Sequence, residues 1–211
     1  MQLQFGTFDE DVPYSLPISL CFWFLFYLIS YITRKGNEDH FNCKKVSNFH
    51  SIVAILLSSL SIYWNDDSIF SEEIVLSWAA GYFFADLIDC VVRKDKMFLV
   101  HAIIGITLIG FCWSDGFYYK RAGSRGYFVE LSTPFLNEWN SSKTKKDFTT
   151  FIAVFFVCRI AYTPYFLYMI GATENIYAFV ASMLFYILNL VWFLKQSKML
   201  LNYDEKRAKK E

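Results

Sequence analysis

Residues 14–33, YSLPISLCFWFLFYLISYIT, form a long apolar run without a single charged side chain. An α-helix rises 1.5 Å per residue, so this run is long enough to cross a hydrocarbon core of roughly 30 Å. Further apolar segments follow, at 47–64, 74–92, 97–114, 148–170 and 176–194. Because strand-like alternation is absent, we predict an all-α polytopic membrane protein rather than a β-barrel.

The composition agrees with a membrane protein and indicates few other partners. Apolar residues make up 55% of the chain and aromatic residues 20%, above the roughly 45–50% apolar content of soluble domains. The five cysteines contain no C-x-x-C pair and are interpreted as packing residues. We predict membrane lipids as partners, no nucleic acid, no metal and no cofactor; the oligomeric state is left open.

Basic residues concentrate in alternate loops, which predicts an orientation. In chain order they are Arg34, Lys35, Lys44 and Lys45, then Arg93, Lys94 and Lys96, then Lys143, Lys145 and Lys146, and then the tail. The intervening loops carry Asp66, Asp67, Glu72 and Glu73, and later Lys120, Arg121 and Arg125. The positive-inside rule then predicts a luminal N-terminus and a cytosolic C-terminus. This arrangement requires about seven crossings, one of them the short polar segment at roughly 116–139.

Five polar side chains are predicted to share one depth near the cytosolic side of the membrane. They are His50, Asp86, Asp89, His101 and Asn137. A histidine beside an aspartate is a general-base arrangement, with the carboxylate fixing the imidazole tautomer. One hypothesis is therefore acyl transfer from acyl-CoA to a lipid, with His101 and His50 as base and Asp86 as the orienting carboxylate. The alternative is that these groups only form hydrogen bonds between helices.

Two charged residues, Glu130 and Arg159, lie deeper in the predicted membrane region. Each is expensive there alone, and an ion pair between them neutralises both. We interpret such a pair chiefly as an element that specifies the fold. Ser132 lacks the G-x-S-x-G turn of a nucleophile, and the string Ser132-Thr133-Pro134 is interpreted as a helix cap or kink. Glu130, Ser132, Asn137, Arg159 and Asp89 are candidate lipid-binding or cavity residues.

Several strings together resemble one membrane family, the TLC-domain proteins. The strings are SNFHS at 47–51, GYFFADL at 81–87, FLVH at 98–101 and ELSTPFLN at 130–137, with Arg159 ahead of Pro164. The resemblance implies a barrel of six helices around a lipid-accessible cavity, preceded by one extra helix. The resemblance covers 46–195, which we assign to the TLC domain; together with the charge pattern, this leaves 1–45 as the luminal N-terminus, first helix and cytosolic loop, and 196–211 as a basic cytosolic tail.

Two departures distinguish this chain from the ceramide synthases of that family. Ala102 follows His101 where those enzymes have a second histidine, and their His-Asp-x-x-Asp element has no counterpart. The resemblance is therefore to the branch associated with membrane lipid homeostasis, in the endoplasmic reticulum. Arg207 and Lys209 also resemble a dilysine retrieval signal. The alternatives are an acyl-CoA-dependent lipid acyltransferase and a membrane chaperone or cargo receptor without chemistry.

Overall fold

The computed structural model describes residues 14–33, 39–113, 115–169 and 175–203. Among these residues the chain is 89% helical, with short turns and loops between the helices and no β-strand. The acidic residues before the first helix, Arg34, Lys35 and the dilysine-like tail lie outside the described residues. The all-α fold predicted from the apolar segments is confirmed.

The helices follow one another with short connections. They are α1 (Ser15–Thr33), α2 (Asp39–Trp64), α3 (Glu72–Arg93), α4 (Lys96–Cys112), α5 (Asp115–Tyr118), α6 (Ala122–Gly126), a 3-10 helix (Tyr127–Leu131), α7 (Ser132–Ser142), α8 (Lys145–Phe155), a π-helix (Phe156–Ala161), α9 (Tyr162–Met169) and α10 (Ile176–Leu201). Over its described residues, each apolar segment found in the sequence is thus mainly helical.

Five helical segments are long and apolar enough to cross a membrane. They are Ser15–Thr33, Lys45–Trp64, Glu72–Arg93, Lys145–Met169 and Ile176–Leu201, and Phe98–Cys112 is a shorter apolar helix. Residues 116–139, predicted as a further crossing, are built instead from short pieces, the longest being the 11-residue α7. The left-handed backbone of Arg121 (φ 53°) separates α5 from α6, because a non-glycine residue in that conformation cannot continue a right-handed helix.

The described helices divide into two compact units, Met1–Tyr127 and Phe128–Glu211. In the first unit, α3 carries more buried residues than any other helix. Its ends are well capped: the Ser71 side chain accepts a hydrogen bond from the Glu73 N–H, and Lys94 closes the C-terminus in the left-handed conformation. Acidic residues in its first turn and Arg93 in its last complement the helix dipole.

A ladder of polar contacts joins α1 to α3. Its members on α1 recur at every fourth residue and so lie on one face of the helix. The contacts are Ser15 with Glu73 and Ser77 (2.8 Å between the two hydroxyls), Ser19 and Trp23 with the Trp78 carbonyl (3.4 and 3.0 Å), and Tyr27 with Asp86 (3.0 Å). Because the contacts advance along both helices together, α1 and α3 are parallel, as expected for helices separated by one return crossing.

Gly81 lets the backbones of α1 and α3 come close. A Cβ atom there would lie 2.8 Å from the Ser19 carbonyl carbon, a backbone atom that cannot turn away. Alanine normally favours a helix over glycine by about 1 kcal/mol, so Gly110→Ala, where nothing lies within 4 Å, serves as the matched control. We expect Gly81→Ala to lower the unfolding temperature in detergent, with a loss of about 1–3 kcal/mol, while Gly110→Ala leaves it unchanged or raises it. Equal behaviour of the two variants would contradict the close approach.

The second unit has an aromatic core. Phe148, Phe151 and Phe155 of α8 are buried, and residues of α7 and α10 pack against them. The Trp139 ring stacks on Phe148 with centroids 4.1 Å apart and an angle of 13°. The Thr144 side chain caps α8 by accepting a hydrogen bond from the Asp147 N–H. The π-helix follows α8 directly, and its Ile160 packs against this core. The same π-helix carries Arg159.

Candidate functional site

His50 on α2 lies in an aromatic cage. Its side chain is only 1% exposed, and its ring stacks on Tyr82 with centroids 3.7 Å apart and an angle of 7°. The Trp23 ring from α1 is nearly perpendicular to the same imidazole, with centroids 5.5 Å apart. The sequence reasoning singled out His50 but not the two aromatic residues, whose arrangement depends on the packing of three helices.

His101 on α4 meets the same part of α3. The centroid of its ring lies 5.9 Å from the centroid of the Phe83 ring, and the His50 centroid lies 6.1 Å from the same point. The two predicted histidines therefore come from different helices to one aromatic side chain. Phe83 is itself buried and stands one turn before Asp86 on α3.

Asp86 and Asp89, also on α3, have different partners. Asp86 accepts a hydrogen bond from the Tyr27 hydroxyl at 3.0 Å and a weaker one from the Cys90 thiol at 3.8 Å. Asp89 forms an ion pair with Arg93, one turn further along, at 2.5 Å. An orienting role of Asp86 toward His101 stays a prediction, and the contact that fixes Asp86 comes from Tyr27, which the sequence reasoning missed.

In the second unit, the predicted ion pair between Glu130 and Arg159 is present. The guanidinium Nη2 lies 3.3 Å from the Glu130 carboxylate Oε1, and Arg159 is only 5% exposed. Arg159 belongs to the π-helix, a geometry often found at functional or strained positions. The pair removes the penalty of two isolated charges at membrane depth.

The rest of the Arg159 guanidinium is also hydrogen-bonded. Its remaining contacts are the Val129 carbonyl (3.1 Å), the Ser132 hydroxyl (2.8 Å), the Asn189 side-chain oxygen (3.4 Å) and the Thr133 hydroxyl (3.4 Å). Thr133 in turn donates to the Glu130 carboxylate at 2.8 Å. Ser132, a candidate cavity residue, is thus an acceptor for arginine, and the network ties the 3-10 helix and α7 to the π-helix and α10.

Asn137 lies in α7, in the second unit, and its side chain is buried. Its backbone carbonyl accepts a hydrogen bond from Ser141 at 3.0 Å. Of the five side chains predicted at one depth, four therefore lie in the first unit, where the two histidines converge on Phe83. Asn137 lies in α7 of the second unit.

A second buried charge cluster, in the first unit, was not anticipated. The Glu72 side chain is 0% exposed and accepts hydrogen bonds from the Ser61 hydroxyl (2.7 Å), the Ser124 amide (2.8 Å) and the Ser124 hydroxyl. Arg121, 4% exposed, donates to Asp67 at 2.7 Å and to Ser61 at 3.1 Å. The charge sorting had assigned Glu72, Asp67 and Arg121 to one side of the membrane, and their contacts agree with that assignment.

The described residues contain no cluster of possible metal ligands. No group of three or more His, Cys, Asp or Glu side chains comes together there in a way that could hold an ion. The intramembrane charges are instead neutralised by one another and by hydroxyl groups. The chemistry available in the first unit is that of two imidazoles and one carboxylate among aromatic rings.

Apolar helices of spanning length, with charged groups paired in their interior, define an integral, multi-pass helical membrane protein. The family model described as TLC domain matches residues 45–198. Since this match covers well over half of the chain, the protein belongs to the TLC-domain family. No curated protein and no solved structure matches the chain.

Proposed function

We propose that this protein acts in membrane lipid homeostasis and binds a lipid, or the acyl chain of one, among the helices of its TLC domain. The proposal includes membership of the branch distinct from the ceramide synthases and residence in the endoplasmic reticulum. It also includes the luminal N-terminus and cytosolic C-terminus inferred from the basic loops. Parallel packing of α1 and α3, and the contacts of Arg121 with the acidic loop, fit the alternation of sides on which that orientation depends.

The observation that carries the proposal is the convergence of His50 and His101 on Phe83 within the family domain. Ionisable side chains at membrane depth are expensive and default to a functional role. Aromatic rings offer apolar surface to an alkyl chain, while an imidazole offers a polar contact to the ester, amide or phosphate at its head. The cluster combines both kinds of surface.

Acyl-CoA-dependent acyl transfer is the second candidate, and one observation favours it. Asp86 stands one helical turn from the phenyl ring that both histidines contact, which is the neighbourhood a base and its orienting carboxylate require. Binding without chemistry is preferred, because the hydrogen bonds that Asp86 accepts come from Tyr27 and Cys90. Ala102 stands in place of a second histidine, which also favours binding without chemistry.

The test is quantitative lipidomics of cells that lack the protein, rescued by wild type, His101→Ala or Ile103→Ala. Ile103 lies on the same helix and is half exposed, so its truncation controls for a general effect on α4. We expect wild type and Ile103→Ala to restore a displaced lipid class, and His101→Ala to fail at an equal protein level. The purified wild type should then capture a photoactivatable lipid of that class.

Two results would change the conclusion. If loss of the protein displaces no lipid class and the purified protein captures none, the lipid-binding proposal is wrong. If the purified protein consumes acyl-CoA with a lipid acceptor, and His101→Ala abolishes the turnover, the acyltransferase replaces it. Full rescue by His101→Ala would leave this histidine a packing residue.

A further inference from the structure

The first helix lies outside the family domain but contacts its polar residues. The family match begins at residue 45, whereas α1 ends at Thr33. Nevertheless, α1 contributes one side chain to the cage around His50 and another to the carboxylate of Asp86. The candidate site of the first unit is therefore built from residues on both sides of the domain boundary.

Trp23 is the α1 residue beside His50. It is 0% exposed, and its indole N–H donates to the Trp78 carbonyl at 3.0 Å, which sets the orientation of the ring. The indole ring is T-shaped to both members of the stacked pair, with its centroid 5.5 Å from that of His50 and 5.2 Å from that of Tyr82. Trp23 thus closes one side of the histidine cage.

Tyr27 is the α1 residue that fixes Asp86. A carboxylate at membrane depth needs hydrogen-bond donors, and the phenolic hydroxyl, at 3.0 Å, is a stronger donor than the Cys90 thiol at 3.8 Å. The thiol belongs to α3 itself, so the contact with Tyr27 is the one that depends on the neighbouring helix. It determines the direction of the Asp86 side chain.

The position of α1 is itself well determined. The ladder from Ser15 to Tyr27 fixes its register along α3, and the close approach at Gly81 fixes the distance between the two helices. A one-residue slip of α1 would turn the Tyr27 hydroxyl away from Asp86, because successive helical residues point about 100° apart. Tyr27 is therefore held where it can position Asp86.

We propose that α1 is an integral part of the lipid site, with Tyr27 as the positioning residue for Asp86 and Trp23 as a wall of the His50 cage. This inference rests on the proposed lipid-binding function and extends it beyond the family domain. It predicts that a lipid bound beside Phe83 contacts the first helix as well as the helices of the matched region.

The test uses the full-length protein and the variant Tyr27→Phe, which removes the hydroxyl and keeps the ring. Tyr63→Phe, at an exposed tyrosine of α2, is the matched control. Asp86→Asn identifies the infrared band of the Asp86 carboxyl group by its disappearance. We expect Tyr27→Phe to shift that band and to weaken capture of a photoactivatable phospholipid about tenfold, while Tyr63→Phe changes neither.

The double variant Tyr27→Phe/Asp86→Asn shows whether Tyr27 acts through Asp86. We expect it to capture lipid no more weakly than Asp86→Asn alone, because residues that act as a unit are not additive. If the losses of lipid capture in the two single variants add in full in the double variant, the inference about α1 is wrong. It is also wrong if Tyr27→Phe leaves both the infrared band and lipid capture unchanged. Neither result contradicts the proposed lipid-binding function. Failure of the wild type to capture lipid would overturn the proposed function and the α1 site together, while the infrared band would still report the contact itself.

Discussion

Arg159→Ala is expected to unfold most of the second unit, with a loss of about 3–5 kcal/mol in the free energy of unfolding. The substitution leaves the buried Glu130 carboxylate without its cation. It also removes the guanidinium donor to the Ser132 hydroxyl and one of the two hydrogen bonds to the Val129 carbonyl, which keeps its bond from the Ser132 hydroxyl. In the low-dielectric interior, an unpaired charge is far more costly than a missing side chain.

Thermal unfolding of the purified protein in detergent measures this effect. Lys146→Ala removes an exposed cation from the first turn of α8 and should change the unfolding free energy by less than about 0.5 kcal/mol. The double variant Glu130→Gln/Arg159→Leu should be more stable than Arg159→Ala, since it contains no unpaired charge. An Arg159→Ala protein that unfolds at the wild-type temperature would show that the network does not support the fold.

Glu72→Ala is expected to have the second-largest effect, a loss of about 3 kcal/mol in the free energy of unfolding. Its carboxylate accepts hydrogen bonds from two serine hydroxyls and from the Ser124 amide. Removing it leaves these buried donors without their acceptor, at about 1–3 kcal/mol for each one that finds no substitute. Arg121 also loses its fully buried counter-charge, whose oxygen lies 3.9 Å away, and keeps the closer but partly exposed Asp67 at 2.7 Å.

Asp66→Ala is the matched control for Glu72→Ala. Asp66 is a carboxylate of the same loop, but it is exposed and its hydrogen bonds are local ones with Ser68. We expect a change within about 0.5 kcal/mol for this surface position. Similar unfolding temperatures for the two variants would mean that Glu72 does not anchor α6 to α3.

The location of the apolar helices could be predicted from the sequence, because it depends on local composition. A segment such as 14–33 has no charge and cannot remain in water, so its helix follows from the hydrocarbon thickness and the helical rise. The pair of Glu130 and Arg159 could be predicted for a related reason: neither charge is tolerable alone at that depth. The other partners of Arg159, Ser132 and Asn189, could not be predicted, because nothing in the sequence distinguishes them from the other polar residues of the chain.

The arrangement of the candidate site was less predictable. In the sequence, Glu72 is one of several acidic residues in a hydrophilic loop. No neighbouring residue distinguishes it from Asp66, which is exposed. The burial of Glu72 depends on Ser124, which is 52 positions away in the chain. The four-residue spacing of Ser15, Ser19, Trp23 and Tyr27 was the one available signal for the contact face of α1, but the spacing alone names no partner.

The sequence by itself determined that this chain is an all-α, multi-pass membrane protein of the TLC type, and it determined which segments are helices. Those properties follow from the free energy of transferring each segment out of water, which nearby residues decide. Only the tertiary structure decided that Tyr27 binds Asp86, that both histidines meet Phe83, and that Glu72 is enclosed by serines. Such pairings depend on the register and separation of helices distant in the chain, and these are set by side-chain packing over the whole unit.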